Sequence, residues 1–333
     1  MIRLLKILIV IGLLWSGYWY GAGHLLRLGI ERWFSAQEAR GWQAEYAGLS
    51  TSGYPLRHIN MLTSPALADP GSGIAWQADW LMLESPAIWP GRQTLRFAPT
   101  PQRLSHFDRT AVIEAQDMAA GLHLHPGIAL ELAQLSLSAG PWEISGPDGA
   151  VLEGDGLTVA MVQTGRPETY RYDIDAPGFS PGHGLRRMAR ATETLPASFE
   201  ALSVAMDVTF DRPWDRRALE ERRPQPVAIE LRLADLRWGG LTIMAAGKIT
   251  VDGAGRPSGA IVLKAENWRQ MLDMAQSVWS IPQAAWDSVE RGLELLARMG
   301  SDPDALDVQL NLRDGFVALG PFPLGQAPQL VLR

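Results

Sequence analysis

The chain has 333 residues, enough for one large or two ordinary domains, with a formal net charge of −6 and no cysteine. The missing cysteines exclude a disulfide framework, a thiolate metal site and a cysteine nucleophile together. The mixed charges leave no basic stripe of the kind that tracks nucleic acid, and 33 glycines and 23 prolines without a repeating period point to many turns between strands.

The first element is helical. The stretch MIRLLKILIVIGLLWSGYWYGAGHLLRL carries no fixed charge between Lys6 and Arg27, a gap matching the roughly 20 residues a helix needs to cross a hydrocarbon core. Arg3 and Lys6 precede it, which the positive-inside rule reads as a cytoplasmic N-terminus. Trp15, Tyr18, Trp19 and Tyr20 crowd its far end as a membrane-interface belt. The rival reading is a cleaved secretory signal with Ile7–Trp15 as its apolar region and Gly21 and Gly23 as the small residues before a cut after Gly23. Either reading exports the rest of the chain, whereas a buried helix of a soluble protein would have no use for the charged flank and the aromatic belt. Leu25, Leu26, Leu28, Ile30, Trp33 and Phe34 continue the helical pattern, so residues 1–40 are expected to form an anchor with a helical continuation.

After Arg40 the period changes from helical to two. WQADWLMLES (76–85), IALELAQLSLS (128–138) and GLTVAMVQT (156–164) alternate weakly, and ALSVAMDVTFD (201–211) alternates strongly, with Leu202, Val204, Met206, Val208 and Phe210 on one face. VAIELRL sets Val227, Ile229, Leu231 and Leu233 against Glu230 and Arg232. In LTIMAAGKITVDGAGRPSGAIVLKAENW (241–268) two long strands flank a turn, with Leu241, Ile243, Ile249 and Val251 on one face. Leu306, Val308, Leu310 and Leu312 repeat the pattern near the end. Four Asp-Gly pairs, at 148–149, 155–156, 252–253 and 314–315, offer the positive φ angles of type I′ hairpin turns. The fold class is therefore α+β, mainly β: a long antiparallel meander, as a curved sheet or sandwich, with an N-terminal transmembrane helix and a C-terminal helix pair. That pair is NWRQMLDMAQSVWSI, stacking Trp268, Leu272, Ala275 and Trp279 before Pro282, and AAWDSVERGLELLARMG, ending at Gly300 as a C-cap residue. RRMARATETL and DRRALEERR add short helices. Residues 41–333 form the β-rich body, in two loosely similar halves, 41–212 and 225–333, about a Pro-rich seam.

Chemistry is sparse. GFSPG (178–182) matches a nucleophile elbow at Ser180, but the residue after it is Pro181, which has no N–H for an oxyanion. His123 and His125 share a strand face at a usable metal spacing without a second ligand pair, and surface or partly buried histidines are the plainer reading. GAGRPS after Asp252 lacks the third glycine of a dinucleotide fingerprint. No cofactor, metal or nucleic-acid partner is expected. The 13 tryptophans, against 8 phenylalanines, fit core packing, with an apolar groove or a membrane-leaning surface as the alternative.

The segment LSTSGYPLRHIN, through Gly53, Tyr54 and Pro55, resembles the G-[FY]-P segment of the domain of unknown function 2125 (DUF2125) family of bacterial proteins. GKITVDGAGRPSGAIVLKAENWRQML and LNLRDGFVALGPFPLGQAPQLVL resemble its C-terminal half. The family lends no catalytic residues. More distantly, the closing segments are similar to those of AsmA-like envelope proteins. That resemblance implies a single-pass anchor in the bacterial inner membrane, a periplasmic body of long curved sheets with an apolar inner face, and lipid handling or envelope maintenance.

Each strong strand presents four or five large apolar side chains, worth on the order of 10 kcal/mol per strand face if covered. Two helices cover only part of such a sheet. The remainder is covered by a second sheet or the sheet's own curl, or else by an apolar ligand such as lipid acyl chains. The first expectation is a non-enzymatic, membrane-anchored periplasmic protein that binds membrane lipid in an apolar groove lined by Ile243, Ile249, Val251, Ile261, Leu263 and Trp268, with envelope proteins as a further partner class. The alternatives are a closed-core structural or partner-binding module, and a periplasmic hydrolase.

Overall fold

The structure, a computed structural model, describes residues 2–147, 149–188, 195–278, 283–299, 302–319 and 322–332. Contacts divide the chain into two compact units: residues 1–124 with 144–147, and residues 125–143 with 148–333.

The first unit opens with helix α1 (Ile2–Ala39), unbroken through the apolar stretch and its continuation. It stops where Gly41 adopts φ +89°, a conformation nearly free for glycine, while Gln37 and Glu38 carbonyls accept from Arg40, Gly41 and Trp42. Ten strands follow: β1 (Gln43–Glu45), β2 (Gly48–Ser52), β3 (Arg57–Thr63), β4 (Ala66–Asp69), β5 (Ile74–Gln77), β6 (Trp80–Pro86), β7 (Arg92–Phe97), β8 (Gln102–His106), β9 (Arg109–Ala115) and β10 (Ala119–Leu124). All pairings are antiparallel, in the orders β2-β3-β6-β7-β10 and β1-β4-β5-β8-β9. The chain therefore passes from one sheet to the other every one or two strands. The passages are corners of small residues: Ala78, Ala98 and Ala115 are buried there, and Ser64 and Asp117 take positive φ. Corner backbone stays paired, Ser64 N–H to Asp79 O and Ala78 N–H to Pro65 O, as buried amides require. One such corner cuts WQADWLMLES into β5 and β6, in different sheets, where alternation alone shows one strand.

The second unit holds β11 (Leu132–Ala139), β13 (Gly149–Gly154), β14 (Leu157–Gln163), β15 (Thr169–Asp175), β16 (Ser180–Pro181), α2 (His183–Met188), β17 (Ala201–Phe210), α3 (Arg217–Glu220), β18 (Pro226–Trp238), β19 (Leu241–Val251), β20 (Pro257–Glu266), α4 (Trp268–Val278), α5 (Gln283–Met299), β21 (Ala305–Arg313), β22 (Phe316–Leu319) and β23 (Phe322–Gln326). Between β11 and β13 lies β12 (Trp142–Gly146), whose residues are divided between the units. Its main sheet is an open antiparallel run, β11-β14-β15-β17-β18-β19-β20-β21-β22-β23. β17 and β18 pair across the Pro-rich stretch, and the compact units divide at Leu124/His125.

This sheet is amphipathic by register. Val208, Ile229 and Ile249 stand in line on one face, with Ile261, Leu263 and Ala265 paired to Leu310, Val308 and Leu306. The other face carries cross-strand ion pairs, Arg171–Asp207, Arg232–Asp173 and Lys248–Glu230, which keep it in water and add little stability. Helices α4 and α5 lay Trp268, Leu272, Trp286 and Ala297 on Ala265, Leu306 and Val308, and the Trp268 indole donates to Pro303 O at 3.2 Å.

Four expectations need correction. Leu233 does not share the apolar face, because a bulge at Arg232–Leu233 reverses the alternation: Leu231 faces Met206, Leu233 faces Ala205, and Leu233 is 44% exposed. Val227 lies at a second irregularity and is exposed. Among the Asp-Gly pairs only Asp314-Gly315 forms a two-residue hairpin with both φ positive. Asp155-Gly156 joins strands that pair elsewhere, Asp252 caps a five-residue loop in which Gly255 takes the positive φ, and Asp148 lies outside the described residues. DRRALEERR yields a single turn, α3, and α2 covers only the start of the other short helix; residues 189–194 lie outside the described set, as do Trp279, Pro282 and Gly300.

The bulge makes a direct prediction. Leu233→Thr should change the urea unfolding midpoint by no more than about 0.5 kcal/mol equivalent, whereas Leu231→Ala should cost about 2 kcal/mol. Equal losses would show that the alternation runs through the bulge unbroken.

Candidate functional site

The site lies in the first unit, where α1 crosses the strands. Three donors within five residues of α1 end on backbone carbonyls: Trp15 Nε1 on Pro55 O at 3.1 Å, Tyr18 Oη on Ala87 O at 2.7 Å, and Trp19 Nε1 on Arg57 O at 2.9 Å. Ser16 Oγ shares a hydrogen bond with Tyr54 Oη at 2.9 Å. The β2–β3 turn that meets them is Gly53-Tyr54-Pro55-Leu56. Gly53 sits at φ +99°, where a Cβ would stand 2.8 Å from Arg57 O, so only glycine fits there without displacing backbone.

Trp19 is also buried and stacks on His58 with ring centroids 4.8 Å apart and planes 22° from parallel. Gly23 makes this approach possible: a Cβ there would lie 3.3 Å from His58 Nδ1. Inward alternation on β3 buries His58, Asn60 and Leu62. Asn60 accepts from Thr51 Oγ1 at 2.7 Å, but neither ring nitrogen of His58, only 1% exposed, has a hydrogen-bond partner among the described residues. Burial lowers its pKa, so at neutral pH it is an uncharged imidazole with one unmet donor and one unmet acceptor.

His58 borders an apolar groove of about 480 Å³, whose helical wall is Tyr18, Ala22, Leu25, Leu26, Gly29, Ile30 and Trp33, residues spaced to share one face of α1. A second cavity of about 470 Å³ shares Ile30, Trp33, Leu83 and Gln93 with it and reaches Leu67, Trp76, Leu95 and Phe97 on both sheets. The two adjoin along these shared residues as one apolar channel region, each part of ligand-pocket size. Phe34, packed with Ala44 and Leu62, holds the helix against its far end. At Gly29 no atom lies within 4 Å of a built Cβ, so this position opens into free space.

The residues expected to line a groove in the second unit are divided. Ile243, Ile249 and Ile261 are half-buried in mid-sheet, Leu263 and Trp268 belong to the packing under α4 and α5, and Val251 is buried at the strand's end. Of the aromatic belt, Trp15, Tyr18 and Trp19 bond to the β-body and Tyr20 remains 66% exposed. Ser180 is buried with its hydroxyl donating to Ala197 O at 2.7 Å, so it is poorly placed as a nucleophile. His123 Nε2 accepts from Arg92 at 2.6 Å and His125 meets Gln163 at 2.8 Å; each has its own partner. Among the described residues no cluster of three or more His, Asp or Glu could hold a metal ion. Sequence reading missed His58, Gly23 and Gly29. The available signal was glycines recurring in a helical segment, which opens close approach or space on a face, and a histidine in an inward strand position.

The family model for DUF2125, described as an uncharacterized protein conserved in bacteria, matches residues 19–328. The match begins at Trp19 and runs through the channel and the second unit. A search of curated proteins finds no match.

The buried imidazole sets a pH dependence. The unfolded chain protonates His58 near pH ~6.5, the folded chain only at lower pH. Stability from this site is therefore complete above that value and is lost as pH falls through it. His58→Phe keeps the stack on Trp19 and removes the titration. Its advantage in unfolding midpoint over the wild type should grow between pH 7.5 and 5.5, and a pH-independent difference would show His58 to be solvated.

Proposed function

We propose that this chain, which belongs to the DUF2125 family, is a single-pass membrane protein of the bacterial envelope that holds a lipid acyl chain, or a ligand of like shape, in the channel beside α1. The observation that carries this reading is continuity. The helix that is long and apolar enough to cross a membrane goes on, without a break, to form one wall of an apolar channel. An acyl chain leaving the bilayer along α1 would exchange one apolar surface for another, at little desolvation cost. His58 supports an amphipathic ligand, since its unmet donor and acceptor suit a hydroxyl or an ester carbonyl. Arg3 and Lys6 favour a cytoplasmic N-terminus, an inner-membrane anchor and a periplasmic body. On this reading the protein binds and positions lipid and carries out no catalytic step of its own.

Gly29→Leu tests the reading, because leucine fills the channel while improving helix propensity. The full chain is reconstituted with a phospholipid bearing a diazirine in its acyl chain, and the crosslinked peptides are identified by mass spectrometry. In the wild type, crosslinks are expected on Leu83, Leu95 and Phe97 as well as on Ile7–Leu14. In Gly29→Leu the first set should fall several-fold and the second should not. Wild-type crosslinks confined to Ile7–Leu14 would overturn lipid binding and favour a closed partner-binding module.

A further inference from the structure

We propose that the loops Gly53–Leu56 and Ala87–Trp89 form a collar that enters the bilayer around α1, so that the mouth of the channel opens at membrane depth. The inference rests on the reading of α1 as a membrane anchor. It starts from a length mismatch. Lys6 bounds the charge-free run, and contacts with the β-body begin at Trp15, leaving eight residues, Ile7–Leu14, free between them. At 1.5 Å per residue these cover about 12 Å, against roughly 30 Å for a hydrocarbon core. The rest of the crossing falls on the part of α1 that runs between the two loops, so the loops share its depth.

Their side chains suit that place. Leu56 is 73% exposed, Ile88 76%, Tyr54 50% and Trp89 37%. Tyr54 stands against Ser16, Trp19 and Tyr20 of the helix, and Ala87, next to Ile88 and Trp89, against Tyr18. Loop backbone enters a membrane at lower cost where its polar groups are satisfied internally, and several carbonyls of these loops are. Pro55, Arg57 and Ala87 carbonyls accept from Trp15, Trp19 and Tyr18 of α1, Leu56 O accepts from Ala87 N–H, and Gly53 O from Arg57 N–H. Arg57, paired with Glu84, and Arg92 stand next to these loops in sequence, both exposed, with side chains long enough to snorkel toward lipid phosphates. The tryptophan and tyrosines of the collar and of α1 fit the same interface.

Because the chain has no cysteine, single cysteines can be placed freely. Nitroxide labels at Leu56→Cys and Ile88→Cys, with Ile9→Cys and Asp108→Cys as references, are read in the full chain reconstituted in phosphatidylcholine–phosphatidylglycerol vesicles. The readout is the ratio of collision rates with oxygen and with a water-soluble nickel chelate. Labels at 56 and 88 are expected to favour oxygen several-fold over the label at exposed Asp108, as does the label at Ile9. If 56 and 88 match Asp108 while Ile9 favours oxygen, the collar is overturned, those apolar tips are left to a protein partner, and the anchor stands. If Ile9 also matches Asp108, the anchor reading falls, and the collar with it.

Discussion

The first unit depends on one contact, the stacking of Trp19 on His58. A helix laid against a sheet edge has many nearly equal rotations about its own axis, and this pair selects one. At Gly23 a Cβ would stand only 3.3 Å from the imidazole, so glycine permits the close approach, and hydrogen bonds from Trp15, Tyr18 and Trp19 to three backbone carbonyls fix the rotation. That rotation turns Leu25, Leu26, Gly29, Ile30 and Trp33 toward the strands. The channel is thus a consequence of the contact: small residues at Ala22 and Gly29 leave space that larger side chains would fill. Holding the imidazole without hydrogen-bond partners costs stability, of order 1–3 kcal/mol for an unmet buried group, and such a cost is expected where a site waits for a ligand.

The second unit answers a different requirement. Its sheet has one apolar and one charged face, and the apolar face must be covered along much of its length. Helices α4 and α5 cover it over Ala265, Leu306 and Val308, where Trp268 and Trp286 supply large buried surfaces. Trp238 and Leu241 pack with Leu195, Phe199 and Met271 beside them. Ile243, Ile249 and Ile261 are left half-buried in mid-sheet. Trp238, Trp268 and Trp286 therefore serve core packing in this unit, whereas Trp15 and Trp19 carry hydrogen bonds from α1 in the other. Neither role is distinguishable from composition.

Much of the architecture was legible because strand alternation and helix periodicity are local signals. The strands at 201–210, 241–251, 257–266 and 305–313 stand where their apolar residues put them, and the two C-terminal helices pack through the stripe their spacing announced. The errors share a cause. At Leu233 one extra residue reverses the alternation, and at Ala78–Asp79 a corner moves the chain to another sheet while the pattern continues. Both are decided by what the neighbouring strand does. The Gly239-Gly240 turn, with φ +54° and +87°, is a two-residue hairpin like Asp314-Gly315 that the sequence reading left out. The site was the least legible part. Its residues come from α1 and from β3 to β7, and no spacing along the chain relates His58 to Gly23 or Gly29 to Leu95.

By itself the sequence determined the elements: an N-terminal apolar helix with a charged flank, a mainly antiparallel β-body, a paired helix cover, and a family likeness carried by Gly53-Tyr54-Pro55. These follow from residue type and period, which act over a few positions. Only the tertiary structure decided that the aromatic belt grips the β-body, that Gly53 shapes the loop receiving it, and that an apolar channel lies beside the helix. Space between elements is set by the rotation and distance at which they pack, and those depend on contacts between residues tens of positions apart.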